Sequence, residues 1–217
     1  QYDHCVSLLE ALEIGDASEA DCRLDSLDSA WPVLNRLVCT KVNLDELDYL
    51  AKRLDSFTVG EFSQFQAMAE KLNLTSMKDL INLTFCCQQA TVITDFTNLK
   101  EVGHDHYMNI HGGCASMKEL EQLDGVETAV LLIEDNEGTI TRYGVVYDNG
   151  MELGQSYDGK HFPAYLYEPP MLMVALTSRM EPEDTKNITW LYLPAAKGQL
   201  ERAMGRSGIN DPENMRF

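Results

Sequence analysis

The 217-residue chain is 44% hydrophobic and 24% charged, enough to bury a core in one large or two to three small domains without disulfide or metal staples. Its 35 Asp and Glu against 17 Lys and Arg leave a formal charge of −18 and a sequence pI near 4.5, spread as −7 over 1–60, −5 over 61–125 and −6 over 126–217. With no acidic tail to hold it, that charge covers folded surface; it disfavours direct binding to nucleic acid or to anionic membranes, which needs clustered Lys and Arg, and it favours a basic partner.

Taken in order, Val6 to Ile14 reads as a short amphipathic helix stopped by Gly15, and Ala20 to Leu27 as a strand. Asn43 with Glu46, then Thr58 with Glu61, have the spacing of capping boxes, so a helix begins at each. The first carries the apolar stripe Leu47, Leu50, Leu54 and Phe57, with Asp45, Asp48, Lys52 and Asp55 opposite, a row of carboxylates with one lysine. The second carries Phe62, Phe65, Met68, Ala69 and Leu72 and ends at Asn73 and Leu74, after which Thr75 caps a third helix, Met77 to about Leu83.

Ala90 to Phe96 is β-branched and reads as a strand or extended connector, and Thr97 caps a helix from about Leu99 to Asn109. Gly112 and Gly113 break the chain before a short helix at Ser116 to Gln122. In the next run, Val126 to Ile133, β-branching argues for a strand, while Asp124 with Glu127 and the apolar spacing argue for a helix, which is the reading taken. Thr139 to Tyr147 reads as one strand; Asp148-Asn149-Gly150 is the strongest hairpin signal in the chain and leads into Met151 to Gln155. Tyr157-Asp158-Gly159 is another turn, and His161 to Tyr167 alternates like a strand, ended by Pro169 and Pro170.

Two more strand-like runs, Met171 to Ser178 and Thr189 to Pro194, flank the polar turn Glu181 to Asn187. The segment from Gln199 to Phe217 then parallels Leu8 to Leu24: a helix, a glycine (Gly15, Gly208), an acidic turn, and a strand closing on Arg23-Leu24 or Arg216-Phe217. The later copy makes a strand, strand, helix, strand unit. The earlier one lacks the hairpin, and with Gln1 in place of a methionine the chain is expected to be a piece of a longer protein, trimmed at both ends.

The run LDELDYLAKRLDSF, an acidic helix, LTSMKDLINLTF and LKEVGHDHYM together resemble the middle segment of the ArdA antirestriction family, including its longer relatives from Gram-positive mobile elements. VETAVLLIEDNEGTITRYGVVYDNG is similar to that family's closing helix, loop and strand, although its usual glycine and arginine are not evident in the helix. The likeness covers about half of the chain, Leu44 to Asp148. It implies a non-catalytic DNA mimic that occupies the DNA groove of type I restriction-modification enzymes, usually as a dimer.

The expected fold class is α+β. Small mixed sheet-plus-helix end units, 1–42 (truncated at its start) and 155–217, flank a central, mostly helical acidic module, 43–154, in an elongated multi-domain arrangement. Cysteines 5, 22, 39, 86, 87 and 114 have no repeated spacing, and there is no signal peptide, lipidation motif or apolar run of spanning length, which fits a reduced, cytoplasmic setting.

Candidate chemistry is sparse. His104, His106, His111 and Cys114 crowd possible zinc ligands together, but on a helix the first two lie about 200° apart, so ordinary helix-end histidines are the better account. Cys86 and Cys87 lack a nearby base and read as small buried hydrophobes; no nucleophile elbow or phosphate loop is present. The run Tyr157 to Pro170 reads equally as an exposed docking surface or as a hairpin packed on its own core.

What remains is a carboxylate surface, since Asp and Glu can stand in for phosphates before Lys and Arg. The outward candidates are Asp45, Asp48 and Asp55 on the first helix, Glu61 and Glu70 on the second, Asp79 on the third, and Glu101 and Asp105 on the fourth. No catalytic residue, cofactor or metal is assigned. The alternative function is a regulatory module of a mobile element with a different basic partner, and the plainer account of each acid is a solvated face.

Overall fold

The structure, a computed structural model, describes residues 2–164, 172–182 and 188–217. In chain order its elements are α1 (Tyr2–Ala11), β1 (Cys22–Arg23), β2 (Lys41–Val42), α2 (Leu44–Asp55), α3 (Val59–Lys71), α4 (Met77–Leu83), β3 (Thr91–Ile93), α5 (Leu99–Ile110), α6 (Met117–Gln122), α7 (Gly125–Asp135), β4 (Thr139–Thr141), β5 (Gly144–Tyr147), β6 (Leu172–Ser178), β7 (Thr189–Leu193), α8 (Lys197–Arg206) and β8 (Met215–Arg216). The class is α+β, with three small antiparallel sheets among the described residues. None of the described helices is long and apolar enough to cross a membrane. Two compact units form: one from 1–28, 37–53 and 155–217, the other from 29–36 and 54–154.

In the first unit the strand order is β7-β6-β8, all antiparallel, and α8 packs on the sheet. Leu176, Leu191, Ala203, Met204 and Ile209 close its core. The expected strand, strand, helix, strand order is therefore formed; the turn between β6 and β7 falls partly at 183–187, outside the described residues. The earlier segment follows the same order of helix, glycine and short arginine-bearing strand. Gly15 and Gly208 both take the left-handed conformation, with φ of 80° and 67°. Two details differ from the sequence reading. The first helix stops before Leu12 because Glu13, itself left-handed at φ 54°, lets the Ile14 N–H donate back to the Leu9 carbonyl. The strand expected over Ala20 to Leu27 shortens to β1, whose partner β2 is confined between the turn at Cys39 and the helix cap at Asn43.

The second unit is built around α3. Its capping box forms as read: the Glu61 N–H donates to the Thr58 hydroxyl while the Thr58 N–H donates to the Glu61 carboxylate. The buried surface, however, is no stripe. Every residue from Gln64 to Ala69 is buried, because the sheet β3-β5-β4, α4 and the Trp31 cluster enclose the helix on several sides. The two internal glutamines bring polar groups with them; the Gln64 amide donates to the Ala90 carbonyl at 2.7 Å, which keeps it satisfied away from water. Leu72, assigned to the stripe, is exposed, since it is the C-cap where the chain turns through left-handed Asn73. The caps of α4 and α5 are Ser76 and Asn98, each one residue later than expected.

Three further expectations change in the sheets. Thr139 to Tyr147 is a hairpin and not one strand: the chain reverses at Arg142-Tyr143, and Gly144, at φ 128°, lies so close to the Ile93 carbonyl that a side chain there would collide with it. The Asp148-Asn149-Gly150 turn forms, with the Met151 N–H donating to the Asp148 carbonyl at 2.8 Å, but Met151 to Gln155 is not a strand. Since β5 is already paired with β3 on one side and β4 on the other, it has no free edge for that segment to pair with as a hairpin. His161 to Ala164 is also not a strand, and the remainder of that run, 165–167, lies outside the described residues.

Val126 to Ile133 is helical, as taken. The Asp124 carboxylate accepts from the Val126 and Glu127 N–H groups at 3.1 Å each. Helix α7 packs along α5, and the two backbones meet at glycines. A Cβ on Gly103 would overlap the Gly125 carbonyl oxygen, and one on Gly125 would overlap the Lys100 carbonyl oxygen. Ala129 and Leu132 are buried, and Leu132 joins Ile93 and Tyr147 in a core cluster against which Val102, Ile133 and Val145 pack.

Gly103→Ala is expected to destabilise the second unit by about 3 kcal/mol, the upper range for overpacking, read as a lower denaturant midpoint. Gly60→Ala, in the first turn of α3 with open space around its Cβ position, should stabilise by about 0.5–1 kcal/mol.

Candidate functional site

The eight candidate carboxylates do not share one fate. In the first unit Asp45 is not on open surface. Arg202 Nε donates to its Oδ1 at 2.7 Å and Arg206 Nη2 to its Oδ2 at 3.2 Å, and the three side chains are only 19%, 12% and 5% exposed. Arg206 also donates to Asn43 Oδ1 at 2.9 Å and to the Lys160 carbonyl, and its guanidinium lies over the Phe162 ring at 4.1 Å. Arg202 donates to the Gly15 carbonyl at 2.7 Å. Asp45 is thus the counter-ion of a buried arginine pair. Helical periodicity put it on the polar face correctly but could not see cations on a helix 157 and 161 residues later. Asp48, one turn on, is exposed and paired with Lys52 at 2.7 Å.

Glu46, next to Asp45, is also used inside. Its Oε1 accepts from the Tyr157 hydroxyl at 2.9 Å, and burial, partly offset by that bond, holds its carboxyl above the usual range. Tyr157 is fully buried, and burial together with the Glu46 charge raises its phenol. Phe162 is stacked between Tyr157, at 5.0 Å, and Tyr49, at 4.6 Å. Tyr157 and Phe162 are thus used for internal packing, while Asp158, Gly159, Lys160 and Ala164 are exposed, and 165–170 lie outside the described residues. The turn is held by Asp158: burial would raise that carboxyl, but hydrogen bonds from the His161 ring and N–H and the Lys160 N–H outweigh it and bring it down to about 2.

In the second unit Glu61 spends both oxygens locally, one on its cap and one accepting from the Gln88 amide at 3.1 Å. Glu70 is paired with Arg142 at 3.1 Å. Asp79 accepts from the Ser76 hydroxyl at 2.7 Å and serves the start of α4. Asp55 is exposed at the end of α2. Glu101 and Asp105, one turn apart on α5, are both exposed; partial burial and the neighbouring Glu101 charge raise the Asp105 carboxyl. These two alone among the eight are brought side by side on open surface within one unit.

Acids that the helix-by-helix reading passed over complete that surface. Glu119 and Glu121 on α6, Asp124 at the N-cap of α7, Glu127, Glu134 and Asp135 on α7, and Glu137 after it are all exposed. In this unit twelve carboxylates stand exposed, against the three exposed cations Lys100, Lys118 and Arg142. Helix α6 forms where the sequence places it, and Glu119 closes its capping box, accepting from the Ser116 N–H and hydroxyl at 2.7 Å each.

The histidine and cysteine cluster disperses. His106 Nδ1 pairs with the Thr91 hydroxyl at 3.0 Å, His111 Nδ1 with the Tyr107 carbonyl at 2.7 Å, and Cys114 is exposed beyond them. Burial, with a lesser effect from His111, lowers the His106 imidazole. No three His, Cys, Asp or Glu side chains among the described residues are grouped as a metal site requires. Cys86 and Cys87 are buried, and burial raises the Cys86 thiol, the opposite of activation.

No protein-family model matches the chain, and neither curated proteins nor solved structures show a significant similarity to it.

Asp45→Asn strands two nearly buried guanidinium groups and is expected to cost about 3 kcal/mol of unfolding free energy, whereas Asp48→Asn should change it by less than about 1 kcal/mol. Urea titration of both variants checks the contrast. For Asp158 the folded pKa lies below the ordinary 3.8, so its contribution is present above that value and is lost as pH falls toward about 2. Asp158→Asn should therefore flatten the wild-type loss of stability across that window in acid denaturation.

Proposed function

We propose that this chain is a non-catalytic acidic decoy, similar to the ArdA antirestriction family, that presents carboxylates to the basic DNA-binding surface of a type I restriction-modification enzyme. One observation carries the reading: the exposed surface of the second unit holds twelve carboxylates to three cations, with most of the acids on or beside α5, α6 and α7. A single exposed ion pair contributes on the order of 0–1 kcal/mol, so such a surface acts through the sum of many weak contacts with Lys and Arg that otherwise meet phosphates. The exposed Asp55, Glu101 and Asp105 stay in the proposed contact set on the second unit; Asp48, exposed in the first unit, is not assigned to it. Asp45, Glu61, Glu70 and Asp79 support the fold and leave it. Cytoplasmic residence and dimer formation belong to the same proposal.

A second reading has its own support. At least six of the eight carboxylates singled out by helical face, Asp45, Asp48, Glu61, Glu70, Asp79 and Glu101, have hydrogen-bond or ion-pair partners within the chain, which suits a regulatory module with a smaller acidic patch and another basic partner.

Saturating protein is expected to abolish DNA binding by at least one of several type I enzymes at low salt, with inhibition falling as salt rises. Charge-neutralising Glu101, Asp105, Glu119 and Glu121 together should weaken inhibition several-fold, while each single change has little effect. Undiminished DNA binding by every enzyme at low salt refutes the decoy and leaves the second reading.

A further inference from the structure

Helix α7 has two unlike faces. Gly125, Ala129 and Leu132 point inward and are buried, so its contact with the rest of the unit is complete on that side. On the other side Val126, Val130 and Leu131 are 47%, 36% and 51% exposed. At about 100° per residue, Val126, Val130, Glu134, Glu127 and Leu131 follow one another across an arc of about 140°. Three apolar side chains are thus interleaved with two exposed carboxylates on one helical face.

Isolated surface hydrophobes need no explanation, but these are adjacent. Two of them are β-branched, a poor choice for a solvent-facing helix position that Ala, Glu or Lys would fill better. The surroundings carry one sign. From Met117 to Glu137 the chain has Glu119, Glu121, Asp124, Glu127, Glu134, Asp135 and Glu137, against Lys118 alone. A second copy laid on this face would bring the same acids against themselves, so like-charge repulsion opposes it. Charge complementarity instead selects a ligand that pairs an apolar stripe with flanking Lys and Arg.

We propose that the outward face of α7 is a docking site for a basic amphipathic helical segment of another protein, whose apolar side chains cover Val126, Val130 and Leu131 while its cations meet Glu127 and Glu134. The site goes beyond the decoy reading: it is anchored by apolar contact, and it does not depend on Glu101, Asp105, Glu119 or Glu121. Partial survival at high salt separates it from a purely electrostatic surface.

The test uses the full chain, isotope-labelled, titrated by NMR with a synthetic helical peptide bearing a leucine face flanked by lysines. The expected result is amide shifts concentrated on α7, binding that persists in weakened form at about 0.5 M salt, and no binding by analogues with Glu for Lys or Ser for Leu. Val130→Ser with Leu131→Ser should weaken the peptide about tenfold, and Glu127→Gln with Glu134→Gln should weaken it several-fold. Retained spectral dispersion confirms that these exposed changes leave the fold intact. Shifts scattered over the acidic surface, equal binding by the variants, or self-association of the free chain that Val130→Asp abolishes would each overturn the proposal. The last outcome would assign the face to a second copy. Since the decoy's test neutralises other carboxylates and reads DNA binding, either reading can fail alone.

Discussion

The backbone contact of α5 with α7 is the constraint on which the second unit's surface depends. At Gly103 and Gly125 no side chain stands between the helices, so their axes approach as closely as main chains allow. That approach turns Ala129 and Leu132 inward, and with them fixed, Val126, Glu127, Val130, Leu131 and Glu134 are left on the exposed side of the helix. A wider crossing would let some of those side chains into the interface. The exposed carboxylates are therefore a product of helix packing as much as of composition.

In the first unit the corresponding constraint is electrostatic. Arg206 is nearly buried, and an unpaired guanidinium there would cost several kcal/mol, so Asp45, Asn43 and the Lys160 carbonyl must all be in place at once. This ties the start of α2 to α8 and to the turn after Tyr157, segments far apart in sequence. The Phe162 ring below the guanidinium, stacked between Tyr49 and Tyr157, supplies the apolar floor of the same site. Acidic residues here have two distinct placements: some neutralise internal arginines, others remain exposed on the surface, and net charge does not distinguish them.

Local elements were legible to a large degree. The Thr58 box, the Asp124 cap, the helix end at Asn73 and the Asp148-Asn149-Gly150 turn all follow from short-range chemistry, and each forms where the residues indicate. Assignments that relied on one side of an element being buried fared less well. Helix α3 is enclosed by sheet and helices, so its glutamines are interior and the stripe model fails. The hairpin inside Thr139 to Tyr147 was hidden because Arg142-Tyr143 lacks a turn signature and only the following Gly144 marks it.

The sequence by itself determined the charge, the caps, the class of most elements and the sparsity of catalytic motifs, because these depend on neighbours within a few residues. Short-range caps take up Glu61 and Asp79, but only tertiary structure decided that Asp45 and Glu70 meet arginines while other acids stay exposed. Whether an aspartate on a polar helix face meets water or an arginine depends on where the chain returns more than a hundred residues later, and pairing over that distance leaves no mark in local periodicity. The same holds for the apolar residues of α7: their spacing made a helix, but only packing against α5 chose which of them stayed outside.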